Sequence, residues 1–270
     1  MNKAIIVVSY GTSCIDAIEK NIKPIEREVA EKYGDEYKVM SAFTSHKIIS
    51  RLKKEHNMDI FTPEKALEQL LEGGYEDVTI QPLHIIPGKE FDYIKKVGED
   101  FSDKFKSLRL GRPLMYFFSK EACKDYDDLI EALLINLPKD ENVILVGHGT
   151  SHPGNSCYEC LQNRLKDLGH ENIHIALIGA YPSMEDTIKY LKFKGIKKVA
   201  LAPFLLVLGV HARNDIFSEK GGSWASRLKS EGIFVLEICV GLGEYKEIRN
   251  IYMNHLRDTL NGRNLVLDKN

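Results

Sequence analysis

Two segments of the chain repeat one pattern: VVSYGTS at residues 7–13 and LVGHGTS at residues 145–151. In each segment a short apolar run is followed by a residue with an aromatic ring, a glycine, a threonine and a serine. Such a run predicts a buried β-strand, and the glycine permits a tight turn directly after it. One segment opens the first half of the chain and the other opens the second half, so the pattern predicts two related halves.

Two further pairs of segments follow in the same order within the halves. Residues 74–88 align without a gap on residues 195–209, and each segment carries an apolar run that leads to a proline and then a glycine. AFTS at residues 42–45 has a looser counterpart in AYPS at residues 180–183. Three matches in one order favour an internal duplication.

Short apolar runs alternate with longer segments of helical spacing throughout both halves. This alternation predicts an α/β fold in which parallel strands, buried on both faces, are joined by crossover helices. We therefore expect two similar Rossmann-like domains with a cleft between them. The weakest stretch for regular structure, residues 137–141, suggests an N-terminal domain at 1–130 and a C-terminal domain at 131–270 that includes a closing helix. Pro24 interrupts the first helical pattern and predicts a kink or a restart there.

Composition excludes several classes of function. Lys and Arg number 37 against 39 Asp and Glu, so the net charge of −2 offers no basic field for nucleic acid or anionic lipid. No apolar run reaches the roughly 18 residues of a membrane span. The odd number of cysteines, five, and a start that leads into a strand predict a cytoplasmic protein. A small ligand is the expected partner, and a homo-oligomer remains open.

Candidate functional residues occupy equivalent positions in the two halves. In parallel sheets, ligands bind just beyond the carboxyl ends of the strands. Tyr10 and His148 both follow the first strand of their half, whereas Glu90 and His211 both fall two residues after an aligned glycine. If the halves face each other, His148, His211 and Glu90 meet in one cleft.

Two imidazoles and a carboxylate suit a borderline divalent cation such as Co²⁺, Ni²⁺, Fe²⁺ or Zn²⁺. An imidazole also accepts protons near neutral pH, which gives His148 a second potential role. The alternatives are ordinary: each histidine as a turn residue bonded to the backbone, and Glu90 as a solvated surface charge.

Two other features allow structural or functional interpretations. His84 lies inside an apolar run, which is typical of a core histidine with satisfied hydrogen bonds, although a ligand contact is the alternative. Cys157 and Cys160 form a Cys-X-X-Cys motif without a second pair, and the helical pattern around them favours a buried pair over a zinc or redox site.

Taken together, the motifs of this chain resemble those of the CbiK-type anaerobic cobalt chelatases, part of the class II chelatase superfamily. The resemblance extends over nearly the whole chain. It is carried by VVSYGTS at 7–13, AFTS at 42–45, LHII at 83–86, GHGTSH at 147–152, LVLGVHARND at 206–215 and GLGE at 241–244.

The resemblance implies an enzyme that inserts a divalent metal, with Co²⁺ favoured over Ni²⁺ and Fe²⁺, into sirohydrochlorin in anaerobic cobalamin biosynthesis. The metal is then a substrate, and no tightly bound cofactor is expected. The family's two metal-binding histidines fall on His148 and His211, with His148 also catalytic, and an acidic residue falls on Glu90 as a catalytic and metal-binding group. The predicted tetrapyrrole-binding residues are Tyr10, Gly11, Thr12, Ser13, His84, Lys89, Gly149, Thr150 and Arg213.

One position departs from the family pattern. The family usually carries a glutamate two residues before its Tyr-Pro pair, whereas this chain has Gly179 there. Either Glu90 or water completes the metal shell, or the metal and the direction of reaction differ. The alternatives are therefore a chelatase or dechelatase for nickel, iron or haem, a tetrapyrrole or metal carrier without activity, and a two-lobed binder of sugars or similar small molecules.

Overall fold

The computed structural model describes residues 2–117, 123–219 and 221–267, except for the side chain of His211. The chain forms two compact units, which we call the N-terminal unit (Met1–Tyr116 with Arg249–Asn270) and the C-terminal unit (Phe117–Ile248).

Each unit contains a four-stranded parallel sheet. The N-terminal sheet has the order β2-β1-β3-β4 and the C-terminal sheet the order β6-β5-β7-β8. The strands are β1 (Lys3–Ser9), β2 (Tyr37–Phe43), β3 (Asp77–Pro82), β4 (Ser107–Leu110), β5 (Val143–Gly147), β6 (Ile173–Leu177), β7 (Lys198–Pro203) and β8 (Phe234–Glu237). The helices are α1 (Ile15–Ala17), α2 (Lys23–Tyr33), α3 (His46–His56), α4 (Pro63–Glu72), α5 (Lys89–Phe101), α6 (Lys124–Asn136), α7 (Ser156–Asp167), α8 (Met184–Phe193), α9 (Val210–Phe217), α10 (Trp224–Ser230) and α11 (Lys246–Leu260).

The predicted boundary at residue 130 is wrong, because it falls inside α6. That helix belongs to the C-terminal unit, where Arg164 of α7 bonds to Asp127 at 2.6 Å. The terminal helix also differs from the prediction, because most of α11 belongs to the N-terminal unit. There the hydroxyl of Tyr252 donates to the carbonyl of Leu83 at 2.9 Å.

The α/β prediction and the duplication are confirmed by identical strand orders and by equivalent backbone bonds. Leu83 N–H donates to the carbonyl of Val8 at 2.7 Å, and Phe204 N–H donates to that of Val146 at 2.8 Å. Both bonds tie the chain just after the third strand of a unit to its central strand. The aligned segments 74–88 and 195–209 therefore occupy the same place in the two units.

The looser alignment of residues 42–45 with 180–183 requires correction. Thr44 N–H donates to Ser9 at 2.9 Å and Ile178 N–H donates to Gly147 at 3.0 Å, so Thr44 corresponds to Ile178. By the same register, Ser45 corresponds to Gly179. The C-terminal unit thus has four additional residues, 180–183, before its next helix. The similarity in letters arises because a serine immediately precedes both helices.

The apolar strands form the core, as predicted for strands covered on both faces. Residues 4–8 of β1 are at most 1% exposed. The even-numbered ones, Ala4, Ile6 and Val8, belong to a cluster with residues of α4 and α5. Near Pro24 the helical path is irregular, as predicted: a π-helical turn covers Ile18–Ile22 and α2 restarts with the proline in its first turn. Within the described ranges, none of the helices has the length and apolar character that a membrane crossing requires.

We expect Gly11→Ala to destabilise the protein by about 1–3 kcal/mol more than Gly169→Ala. Both glycines have positive φ, +89° and +82°, so an alanine is strained at either position. Only at Gly11 would the new Cβ also meet a neighbour, lying 2.3 Å from the buried ring of Phe43. Urea unfolding of the two variants measures the difference, and equal losses of stability would contradict the steric argument.

Candidate functional site

The predicted site residues follow the central strands of each sheet. β1 and β3 are neighbours in the N-terminal sheet, so the turn after β1 and the start of α5 lie at one edge of that sheet. β5 and β7 are neighbours in the C-terminal sheet, so the turn after β5 and the start of α9 lie at one edge as well. Glu90 and His211 are each the second residue of their helix, after the N-caps Gly88 and Gly209, as the repeat predicts.

The orientation of His148 defines which of its ring nitrogens can react. The side chain is exposed, and its Nδ1 lies 3.0 Å from the carbonyl oxygen of Gly149. A carbonyl only accepts hydrogen bonds, so Nδ1 carries the hydrogen and donates it. In the neutral imidazole, Nε2 therefore keeps its lone pair. That lone pair is what both metal binding and proton acceptance require, and the bond to Gly149 orients the ring for either task. The interpretation of His148 as a turn residue bonded to the backbone is therefore correct for Nδ1 and leaves Nε2 available.

Glycine is required in the turns after the two central strands. Gly149 has φ +73° and is buried, and a Cβ there would lie 2.8 Å from the Cβ of Ala180. Gly11 shows the same restriction against Phe43. Backbone geometry explains why glycine occupies positions 11 and 149. The contact of these glycines with a tetrapyrrole stays a prediction.

The threonines after these glycines hold the turns in the same way in both units. Thr12 Oγ1 accepts a bond from Cys14 N–H at 3.2 Å, and Thr150 Oγ1 accepts one from His152 N–H at 3.1 Å. Thr12 is buried, and the adjacent Ser13 is half-buried. The observed bonds give both threonines a structural role. The predicted role of Thr12, Ser13 and Thr150 in substrate binding stays a prediction. Tyr10, in contrast, is 51% exposed and available at this edge.

Asn155 holds the loop that carries His148. Its Oδ1 accepts a bond from Thr150 N–H at 3.0 Å, and the ring Nδ1 of His152 accepts one from Gly154 N–H at 3.0 Å. An asparagine and a histidine around a Pro-Gly turn, just before a helix, are residues that often bond to nearby backbone. That composition was the available signal.

Glu90 lies in a more structured environment than a solvated surface charge. It is half-buried in the first turn of α5, where the helix dipole favours a carboxylate, and Lys89 beside it is exposed. Tyr93 of the same helix donates to Glu64 of α4 at 2.7 Å. Burial, and then the carboxylates of Glu64 and Glu90, raise the pKa of the Tyr93 phenol. The Tyr93–Glu64 bond joins two helices, so no local sequence pattern predicts it.

Part of the candidate metal centre lies outside the described part of the chain. His211 lies in the first turn of α9, but its side chain is outside the described part of the chain. Arg213 is exposed, and its Nε donates to the carbonyl of Leu208 at 3.2 Å. Across residues 2–117, 123–219 and 221–267, no three His, Cys, Asp or Glu side chains are grouped so that they could hold a metal ion. The convergence of His148, His211 and Glu90 therefore stays a prediction.

His84 is not the satisfied core histidine that its apolar surroundings favoured. Both ring nitrogens are buried, and neither has a hydrogen-bond partner among the described residues. Burial lowers the pKa of His84 to about 4, so the ring is neutral at physiological pH. Its main chain, by contrast, is bonded, since Leu114 N–H donates to its carbonyl at 2.8 Å.

The Cys-X-X-Cys motif lies on α7, and both of its thiols are free. Cys157 is buried and Cys160 is half-buried. Burial raises the pKa of both thiols, which disfavours the thiolate that metal binding and redox chemistry need. The interpretation as a buried pair is therefore correct for Cys157 and only partly so for Cys160.

The sequence and the fold of this chain are similar to those of known chelatases. The family model for the cobalt chelatase CbiK matches residues 3–261. The sirohydrochlorin cobaltochelatase of Salmonella typhimurium is 38% identical over 264 residues, which cover 97% of each chain. The sirohydrochlorin cobaltochelatase CbiKC of Nitratidesulfovibrio vulgaris is 30% identical over 94% of this chain and 89% of its own. The structure of SirB from Bacillus subtilis with Fe³⁺ superimposes with a TM-score of 0.63 at 16% identity over 96% of both chains, a likeness of fold alone.

We expect His84 to make the protein less stable in acid. The folded pKa, about 4, lies below the ordinary value of 6.5, so the unfolded state takes up the proton first and stability falls as the pH drops from 6.5 to 4. The difference in unfolding free energy between the wild type and His84→Leu should shift by on the order of 3 kcal/mol between neutral pH and pH 4. Urea unfolding at a series of pH values measures this shift. A difference independent of pH would show that the ring titrates normally.

Proposed function

The chain belongs to the cobalt chelatase (CbiK) family, and we propose that it inserts Co²⁺ into sirohydrochlorin, the metallation step of anaerobic cobalamin biosynthesis. The support is that two relatives similar over nearly their whole length, at 38% and 30% identity, are sirohydrochlorin cobaltochelatases. The structural observation that carries the proposal is the exposed side chain of His148, whose Nε2 lone pair is kept available by the bond from Nδ1 to Gly149.

Metal insertion exchanges two pyrrole N–H protons of the macrocycle for one divalent ion. His148 serves both parts of this exchange in sequence. Its Nε2 first binds the metal, and when the ion moves to the pyrrole nitrogens the same lone pair is released and accepts one departing proton. The second proton passes to Glu90 or to water. His211 and Glu90 are the proposed additional ligands, and incomplete coordination leaves positions open for the macrocycle nitrogens.

Exposed cations at helix starts are suited to the carboxylate side chains of the tetrapyrrole. Lys89 opens α5 and Arg213 lies in the first half of α9, and both are exposed. Each thus adds its charge to the partial positive charge of a helix N-terminus. The proposed contacts of Tyr10 and of the loops after β1 and β5 complete the binding surface. A cytoplasmic location, the absence of a tightly bound cofactor and the oligomeric state stay predictions.

Gly179 leaves open how the metal shell is completed. Its N–H donates to the carbonyl of His148 at 2.9 Å, so the position lies beside the proposed metal ligand. We assign the missing ligand to Glu90 or to water. Either ligand restricts the choice of metal ion less than a glutamate beside His148 would. Ni²⁺ and Fe²⁺ therefore belong in the same assay as Co²⁺.

The proposal is tested by incubating the purified protein with sirohydrochlorin and Co²⁺, Ni²⁺ or Fe²⁺ while following the absorption bands of the macrocycle. We expect fastest metallation with Co²⁺, well above the rate without protein. His148→Ala should lower that rate at least about a hundredfold, since it removes both the ligand and the proton acceptor. Its stability should be unchanged because the side chain is exposed.

The matched control is His170→Ala, which removes a histidine at the far end of α7 from this loop. Binding of sirohydrochlorin without faster metallation would favour a carrier, and normal turnover by His148→Ala would remove the histidine from the mechanism.

We expect Gly179→Glu to strengthen metal binding, with a KM for Co²⁺ lower by about tenfold, since a carboxylate beside His148 adds a charged ligand. The backbone accepts the change because Gly179 does not have positive φ, and a Cβ there would contact only the carbonyl oxygen of His148, at 3.4 Å. Gly179→Gln, of the same size without the charge, is the control. Equal KM values for the two variants would show that position 179 does not face the metal.

A further inference from the structure

Three residues at the carboxyl edge of the N-terminal sheet have buried polar side-chain atoms without partners in the described part of the chain. Ser9 Oγ, Thr44 Oγ1 and both ring nitrogens of His84 are buried and have no hydrogen-bond partner among the described residues. The three residues end or follow three adjacent strands, β1, β2 and β3. Most buried polar atoms in proteins are hydrogen-bonded, so several exceptions at one edge call for a physical explanation.

The duplicated unit shows that the fold does not need these polar groups. The bonds from Thr44 to Ser9 and from Ile178 to Gly147 are equivalent, as are those from Leu83 to Val8 and from Phe204 to Val146. With this register, the three positions of the C-terminal unit are occupied by Gly147, Ile178 and Leu205. None of these has a polar side chain. The polar groups of the N-terminal unit therefore cost stability that an equivalent backbone avoids.

The backbone on both sides of His84 is fixed, whereas its imidazole can rotate. The loop is fixed by bonds from Leu114 N–H to the carbonyl of His84 and from Met115 N–H to that of Ile85, at 2.8 and 2.9 Å. The residue as a whole is partly exposed although its nitrogens are not, so the exposed surface belongs to its other atoms. Rotation of the ring about the Cβ–Cγ bond exchanges nitrogen and carbon positions, and this torsion is soft.

We propose that Ser9, Thr44 and His84 form an uncharged subsite that binds a carboxylate side chain of the tetrapyrrole. Two hydroxyls and one ring N–H can donate to a carboxylate, which accepts several bonds at once. Hydroxyls are poor ligands for borderline divalent metals, so the site is suited to the macrocycle and not to the ion. The inference rests on the proposed function, because that function supplies the carboxylate.

The test compares His84→Leu with His174→Leu. His174 is the matched control: its Nε2 is also buried without a partner among the described residues, but it lies early in β6, paired with Ile144, and its ring centroid is 4.8 Å from that of Tyr190. The measurement is the Kd of sirohydrochlorin without metal, from fluorescence quenching, beside the melting temperature of each variant. We expect His84→Leu to raise the Kd about tenfold or more, with an unchanged or higher melting temperature. His174→Leu should leave the Kd unchanged.

The outcomes separate this subsite from the proposed function. A wild-type protein that does not bind sirohydrochlorin would overturn both, whereas wild-type binding with an unchanged Kd for His84→Leu would overturn the subsite alone. An equal loss of affinity in both leucine variants would also overturn it. If His84→Leu does not fold, the nearly isosteric Thr44→Val decides: a Kd raised several-fold supports the subsite, and an unchanged Kd refutes it.

Discussion

The site depends on one constraint of parallel sheets, namely that every strand must deliver the chain to the same edge. The chain leaves the interior strands β1 and β5 through a tight turn. Gly11 and Gly149 make that turn at positive φ, against neighbours that leave no room for a Cβ. The ring of His148 is oriented by a carbonyl in the same turn, so backbone geometry and the reactive nitrogen are set together.

The sequence was informative wherever the signal was local. Apolar runs predicted the strands, and the repeated ring-glycine-threonine pattern predicted both turns, because strand burial and positive φ restrict the residues that fit. The similarity of AFTS at residues 42–45 to AYPS at residues 180–183 gave a wrong alignment. A serine precedes both helices, although the strand register differs. The bond from Tyr93 to Glu64 and the unpaired ring of His84 were not predictable, because both depend on which elements pack together.

The duplicated units have kept their backbone and diverged at their edges. The N-terminal edge combines the half-buried Glu90 with the polar groups of Ser9, Thr44 and His84, which have no partner among the described residues. The positions equivalent to these three polar residues at the C-terminal edge hold Gly147, Ile178 and Leu205. There the exposed imidazole of His148 provides the basic nitrogen. Such divergence suits a reaction with two unlike substrates, because a macrocycle with several carboxylates and a small cation need different contacts. The proposed insertion of a metal ion into a tetrapyrrole is a reaction of this kind.

The path of α11 has a consequence for how the chain is made. Its residues from Arg249 onward complete the N-terminal unit, where Tyr252 bonds to Leu83 and Arg249 to Glu28. On the ribosome, these residues emerge only after the whole C-terminal unit has been synthesised. The first unit therefore waits, with the apolar surface that α11 covers exposed, until α11 has been translated. Splitting the gene at its midpoint would leave the first fragment without its final helix, and this asymmetry distinguishes two halves that otherwise share one topology.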